Sequence, residues 1–128
     1  MKNVTAAIIE RDGRYLLARR APEKNLAGFW EFPGGKIEAN ETPEDCLIRE
    51  LREELHLETR VLEHFCNSVY HYERGAINLM AYRTEILDGE IQLTVHDEVG
   101  WFLPPELLKL NLAPADIPIA KRLASCQP

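Results

Sequence analysis

Residues 35–57, GKIEANETPEDCLIRELREELHL, carry the pattern that organises this chain. Thr42-Pro43-Glu44-Asp45 reads as a helix start. A hydroxyl suits the N-cap, proline the first helical position, and the acids complement the positive end of the dipole. The spacing predicts a helix from there to about His56, with Leu47, Ile48, Leu51 and Leu55 as the stripe that packs on a core. Glu50, Glu53 and Glu54 fall three and four residues apart, so at about 100° per residue they project from one adjacent side. Like charges at such spacings repel each other. They become favourable when a hard divalent cation, Mg²⁺ or else Mn²⁺, takes their oxygens as ligands. One helix thus predicts an anchored edge of acids suited to phosphate chemistry.

Outward from the helix, the chain reads as strands. Residues 4–9 are apolar and partly β-branched, end at Arg11-Asp12-Gly13, and resume at 15–18, which predicts a hairpin. Residues 21–28 form a loop punctuated by Pro22, Asn25 and Gly28, and 29–32 a short strand stopped by Pro33-Gly34-Gly35. Beyond the helix, strands are expected at 59–72 and 76–86 around a Glu73-Arg74-Gly75 turn, at 91–95 after Asp88-Gly89, and at 98–103. A short helix opens at Pro104-Pro105, and a last helix spans 116–125 with Asp116 as its N-cap. No repeat, low-complexity run or linker interrupts residues 1–128. The order of strands, helix, strands, helix predicts one domain of mixed α/β or α+β class.

Composition narrows the function. With 128 residues and 45% hydrophobic content, the chain can bury a core without disulfides. A net charge of −6 argues against a general grip on nucleic acid, which needs clustered Lys and Arg. A phosphorylated small molecule stays compatible, since a bound metal reverses the local sign. Cys46, Cys66 and Cys126 show no zinc or redox spacing and are expected as reduced thiols, Cys46 as a packing residue. The first residues turn charged before an apolar stretch develops, and no run nears the ~20 apolar residues that cross a membrane. A cytoplasmic location without membrane contact is expected.

The segment 35–57 fits G-x5-E-x7-R-E-U-x-E-E-x-G-U, where U is a bulky aliphatic residue. Gly35, Glu41, Arg49, Glu50, Leu51, Glu53, Glu54 and Leu57 fill it. On these residues the chain resembles the Nudix hydrolase family. His56 departs from the pattern, standing where the family has glycine. Glycine takes a left-handed conformation cheaply at a helix end; histidine does so at some cost in stability, with the chemistry intact. Residues 18–38, ARRAPEKNLAGFWEFPGGKIE, and 112–120, LAPADIPIA, extend the resemblance to the MutT-like subgroup, close to its CTP and modified-dNTP pyrophosphohydrolases.

That resemblance implies a Nudix α/β/α sandwich with a mixed sheet between helices. The implied activity is Mg²⁺-dependent hydrolysis of a nucleoside triphosphate to the monophosphate and diphosphate, removing unwanted or oxidised nucleotides. Glu53 and Glu54 resemble metal ligands, Glu50 a ligand or general base, and Gly34 the residue whose carbonyl assists the metal. Arg49 would orient the glutamates, Glu41 would brace the loop, and Gly35 belongs to the same frame. Glu98, or else Asp97, would supply the acid that relatives carry outside the motif, because Val95 stands at the matching place. Arg20 corresponds to a phosphate-contacting arginine, with Arg19 facing elsewhere. Asp116 would read the base edge, Leu112, Ala113 and Pro114 would wall the base, and Phe29, Trp30, Tyr70 and Tyr72 are stacking candidates or core. Asp116 leaves cytidine nucleotides and 8-oxo-dGTP open. An ADP-linked sugar, a dinucleoside polyphosphate, or a catalytically idle nucleotide-binding domain are the competing readings. The partner is the small nucleotide, and the protein a monomer or homodimer.

Overall fold

In the computed structural model, residues 1–22 and 26–126 are described. Asn25 lies outside them. Three strands form one sheet: β1 (Lys2–Ile8), β6 (Gly75–Asp88) and β5 (Glu58–Tyr72), in the order β1-β6-β5. β1 runs parallel to β6, from Lys2 opposite Ile77 to Ile8 opposite Arg83, and β5 pairs antiparallel with β6 across the expected turn. The second sheet gathers β2 (Glu10–Arg11), β3 (Arg14–Arg20), β4 (Trp30–Glu31) and β7 (His96–Phe102), with β3 pairing all three others antiparallel.

Alternation along β1 and β3 builds two cores. Ala6, Ile8, Tyr15 and Leu17 face Leu107, Ile119 and Leu123, from α2 (Pro104–Leu107) and α3 (Ile117–Ser125). Ala7, Ile9 and Leu16 face Leu47, Leu51 and Leu55 of α1 (Pro43–Leu55). Strands buried on both faces read as continuous apolar runs, which is how residues 4–9 and 15–18 look. The result is the expected sandwich of sheets between helices. Among the described residues no helix is long and apolar enough to cross a membrane.

Two expectations need correcting. The turn at Asp12-Gly13 is real, both residues having positive φ, but it joins β2 to β3. β1 breaks off at Ile8 to pair with β6, a long-range partner that local sequence cannot announce. Residues 91–95 form no strand. They cross the end of α1, where Gln92 N–H donates to the Leu55 carbonyl at 3.1 Å and Thr94 Oγ1 to the Glu54 carbonyl at 2.9 Å. Carbonyls orphaned at the helix terminus are thereby satisfied.

Candidate active site

Helix α1 begins as its sequence dictates. The Thr42 hydroxyl accepts the Asp45 N–H at 3.1 Å, and Pro43 opens the first turn. Buried Cys46, Leu47, Leu51 and Leu55 seat the helix, with Cys46 rather than Ile48 completing the stripe. At the far end His56 takes the left-handed conformation, φ 60° and ψ 36°, in place of the motif glycine. All three cysteines are free thiols.

Arg49 is the hub of the exposed side. Its Nε donates to Glu41 Oε2 at 2.6 Å and its Nη2 to Glu41 Oε1 at 3.0 Å, a forked pair. Its Nη1 reaches Glu50 Oε1 at 2.9 Å and Glu53 Oε2 at 3.2 Å. Glu41 also accepts the Glu38 N–H at 3.0 Å, and the Arg49 fork, seconded by that bond, holds its carboxyl down at about 2. The loop before the helix is thus tied to the acids on it.

A cleft of 860 Å³ opens between α1, the Gly34–Gly35 turn, and the β5–β6 turn. Two glycines make it possible. A Cβ on Gly34 would fall 2.0 Å from the Thr5 carbonyl oxygen, and one on Gly35 would fall 2.3 Å from Glu50 Cδ. The turn is fastened by Thr5, whose N–H donates to the Gly35 carbonyl at 2.7 Å and whose hydroxyl bonds the same oxygen at 3.1 Å.

Glu50 and Glu54 line this cleft together with Glu31, Arg20 and Asp116. Desolvation pushes Glu54 up to about 8, helped by the neighbouring charges of Glu50 and Glu31. Glu50 is raised by burial as well, against the pull of Arg49. Among the described residues no three His, Cys, Asp or Glu side chains are drawn close enough to hold a metal as they stand. The donor set nevertheless suits a hard cation: the Glu50 and Glu54 carboxyls neighbour each other at a desolvated edge where their own charge is disfavoured.

Other residues named from sequence fall elsewhere. Glu53 is off the cleft lining, its side chain 60% exposed on Arg49. Glu98 does not join the acids. β7 sets it opposite Arg19, whose Nη1 it meets at 3.3 Å, while Asp97 takes Arg19 Nε at 2.9 Å. Arg19 and Arg20 point to opposite faces of β3, so Glu98 and Asp97 turn away with Arg19. Leu112 is buried in the core and Pro114 is off the cleft, leaving Ala113 as the wall. Of the four aromatics only Tyr72 lines the cleft, and its hydroxyl accepts the Ala115 N–H at 3.1 Å. Trp30 packs edge-on against Phe102.

Asp116 occupies the N-cap position of α3 but its side chain caps nothing. Its Oδ2 instead accepts the Phe32 N–H at 2.9 Å, across the chain. Bonds between Trp30 and both Asn111 and Ala113 bring that loop alongside β4. Burial, with the charge of Glu31 behind it, pushes the Asp116 carboxyl well above the usual carboxylate range.

The acid that the sequence reading missed is Glu31. Its Oε1 accepts from Arg20 Nη1 at 3.0 Å and its Oε2 from His96 Nε2 at 2.8 Å. One signal was available: a lone acid between Trp30 and Phe32, three residues before Gly34.

A family model for the NUDIX domain matches residues 1–123. This chain belongs to the Nudix family. It is 44% identical over 119 residues to the CTP pyrophosphohydrolase of Escherichia coli K12, covering 93% of this chain and 88% of that protein. It is 38% identical over 116 residues to the putative 8-oxo-dGTP diphosphatase 2 of Mycobacterium tuberculosis H37Rv, covering 88% and 81%. Among solved structures, the E. coli ORF135 protein superposes with a TM-score of 0.85 at 42% identity, covering 98% of this chain and 89% of that one. Nudix membership makes the chain a hydrolase of phosphoanhydride bonds. Nudix enzymes generally work with divalent metal ions.

Proposed function

We propose that this Nudix chain is a single-domain, Mg²⁺-dependent nucleoside triphosphate pyrophosphohydrolase acting in the cytoplasm, as monomer or homodimer. It converts triphosphate and water to monophosphate and diphosphate, with cytidine-type nucleotides preferred. The observation that carries this reading is one cleft lined both by the α1 acids Glu50 and Glu54 and by buried Asp116. When bound, Mg²⁺ neutralises phosphate charge and acidifies a water. Glu50, Glu53, Glu54 and the Gly34 carbonyl are the groups that would hold it, with Glu53 swinging in from Arg49. Glu50 also serves the attacking water, since Arg49 fixes Oε1 and leaves Oε2 toward the Gly35 turn. Arg20 grips phosphate, and Lys2, Lys36 and Arg74 add positive charge along the same cleft.

Base choice rests on Asp116. A neutral carboxylic acid donates through O–H and accepts through C=O. That pair matches the N3 acceptor and N4 amino donor of cytosine, whereas a carboxylate would match the N1–H and N2–H of guanine. Burial of Asp116 favours the neutral form. The 44% identity to an E. coli enzyme named for CTP supports the same choice. Likeness to the M. tuberculosis protein keeps 8-oxo-dGTP as the second substrate to assay.

Asp116→Ala removes both the donor and the acceptor offered to the base. It is expected to raise KM for cytidine nucleotides about tenfold or more, with a smaller effect on the others. Equal changes for every nucleotide would show that Asp116 does not read the base.

A further inference from the structure

Outside the motif, one buried ring is committed to an acid of the cleft. The His96 side chain is 2% exposed, and its Nε2 lies 2.8 Å from Glu31 Oε2. A carboxylate oxygen only accepts, so this nitrogen must carry the hydrogen. Nδ1 is buried with no hydrogen-bond partner. Leaving a polar atom buried and unpaired costs free energy that a phenyl or leucyl side chain would avoid. Filling space is therefore an insufficient reason for histidine here.

Strand geometry explains how the ring arrives. Pairing of β3 with β7 shifts register between Arg19 and Arg20, so that Arg20 meets His96 while Arg19 meets Glu98. The shift puts His96 on the face of Arg20 and Glu31, away from Asp97 and Glu98. Glu31, on β4, then takes two donors, Arg20 of the adjacent β3 on one oxygen and His96 of β7, on the far side of β3, on the other. Beside them a smaller cavity of 190 Å³ is lined by Arg20, Glu31, Glu54, Val95 and His96. Glu31 and Glu54 repel each other across this region. A Glu31 side chain without its second donor would be free to turn into that space.

We propose that His96 is a positioning residue: with Arg20 it fixes the Glu31 carboxylate in the cleft, between the α1 glutamates and Asp116. With a donor on each oxygen, the Glu31 carboxylate is held in one orientation on the cleft lining, where it can accept from a bound ligand. The kinetic side of this inference rests on the nucleotide-hydrolase reading; the geometry does not.

The test is a matched pair of amides. His96→Gln places an N–H where Nε2 stands, and His96→Asn places it where Nδ1 stands, leaving Glu31 Oε2 unpartnered. With the nucleotide the wild type turns over fastest, Gln is expected to keep kcat/KM within about threefold. Asn is expected to lose tenfold or more when assayed well below its melting temperature, and to lose nothing further in a Glu31→Ala background. Equal activities for Gln and Asn, or losses that add to Glu31→Ala, would overturn the assignment. ¹⁵N NMR of the ring supplies a readout independent of turnover. An Nε2–H tautomer that gives way in Glu31→Ala is expected, and an Nδ1–H tautomer in the wild type would overturn the assignment. A wild type that cleaves no nucleotide would defeat the functional reading alone and leave the NMR result to decide this one.

Discussion

Glu54 and Gly35 show how single residues trade stability for chemistry. Glu54 titrates near 8 in the metal-free protein because burial and two neighbouring acids oppose its charge. A folded-state value above the unfolded one means that the native state holds the extra proton between about 4.5 and 8. Metal-free stability is therefore expected to fall as pH rises through that window and level off above it. Glu54→Gln lessens the slope, leaving the part that raised Glu50 and Asp116 contribute, and raises the melting temperature at pH 8 by about 3–8 °C while cutting turnover at least about a hundredfold. A pH series of melting curves checks the first half, and an unchanged slope in the variant would contradict it. At Gly35 the added methyl of Gly35→Ala meets the end of the flexible Glu50 side chain, not backbone. Little loss of stability with about tenfold or greater loss of turnover is expected. Gly34→Ala meets the Thr5 carbonyl instead, and is expected to cost stability first.

Among the elements, α1 was the most legible, since its cap, its proline, its stripe and its acids are all local signals. Even its irregular end was foreseen. His56 stands at φ 60°, where a side chain costs roughly 1 kcal/mol relative to glycine. His56→Gly is expected to stabilise the protein by about that amount, roughly 4 °C in melting temperature, with kcat unchanged. A destabilised or inactive variant would mean that the ring does something else. The β3–β4–β7 region was far less legible. Glu98 was the natural choice for the extra acid, but a register shift between Arg19 and Arg20 turns it away and brings Glu31 and His96 in. Sequence carries no marker for such a shift, because it depends on how distant strands meet. Asp116 looked like an N-cap for the same reason: its true partner, the Phe32 N–H, lies 84 residues away.

At the scale of the whole molecule, the two-sided cores follow from apolar runs that any reader of the sequence can see, and the sandwich with them. What the runs do not reveal is that the fold lays one continuous cleft from Glu50 and Glu54, past Glu31, to Asp116. A chain with net charge −6 still sets Arg20, Lys2, Lys36 and Arg74 on this cleft beside its acids, four cations able to pair with phosphate oxygens. The central claim is that the α1 acids and Asp116 act on one nucleotide, and a single assay reaches it. The purified protein is incubated with Mg²⁺ and a panel of canonical and oxidised nucleoside triphosphates, ADP-sugars and dinucleoside polyphosphates, with products identified. The expected result is nucleoside monophosphate and diphosphate, fastest from a cytidine-type triphosphate and abolished by chelation. Turnover confined to the sugar or dinucleoside substrates, or none at all, would contradict it.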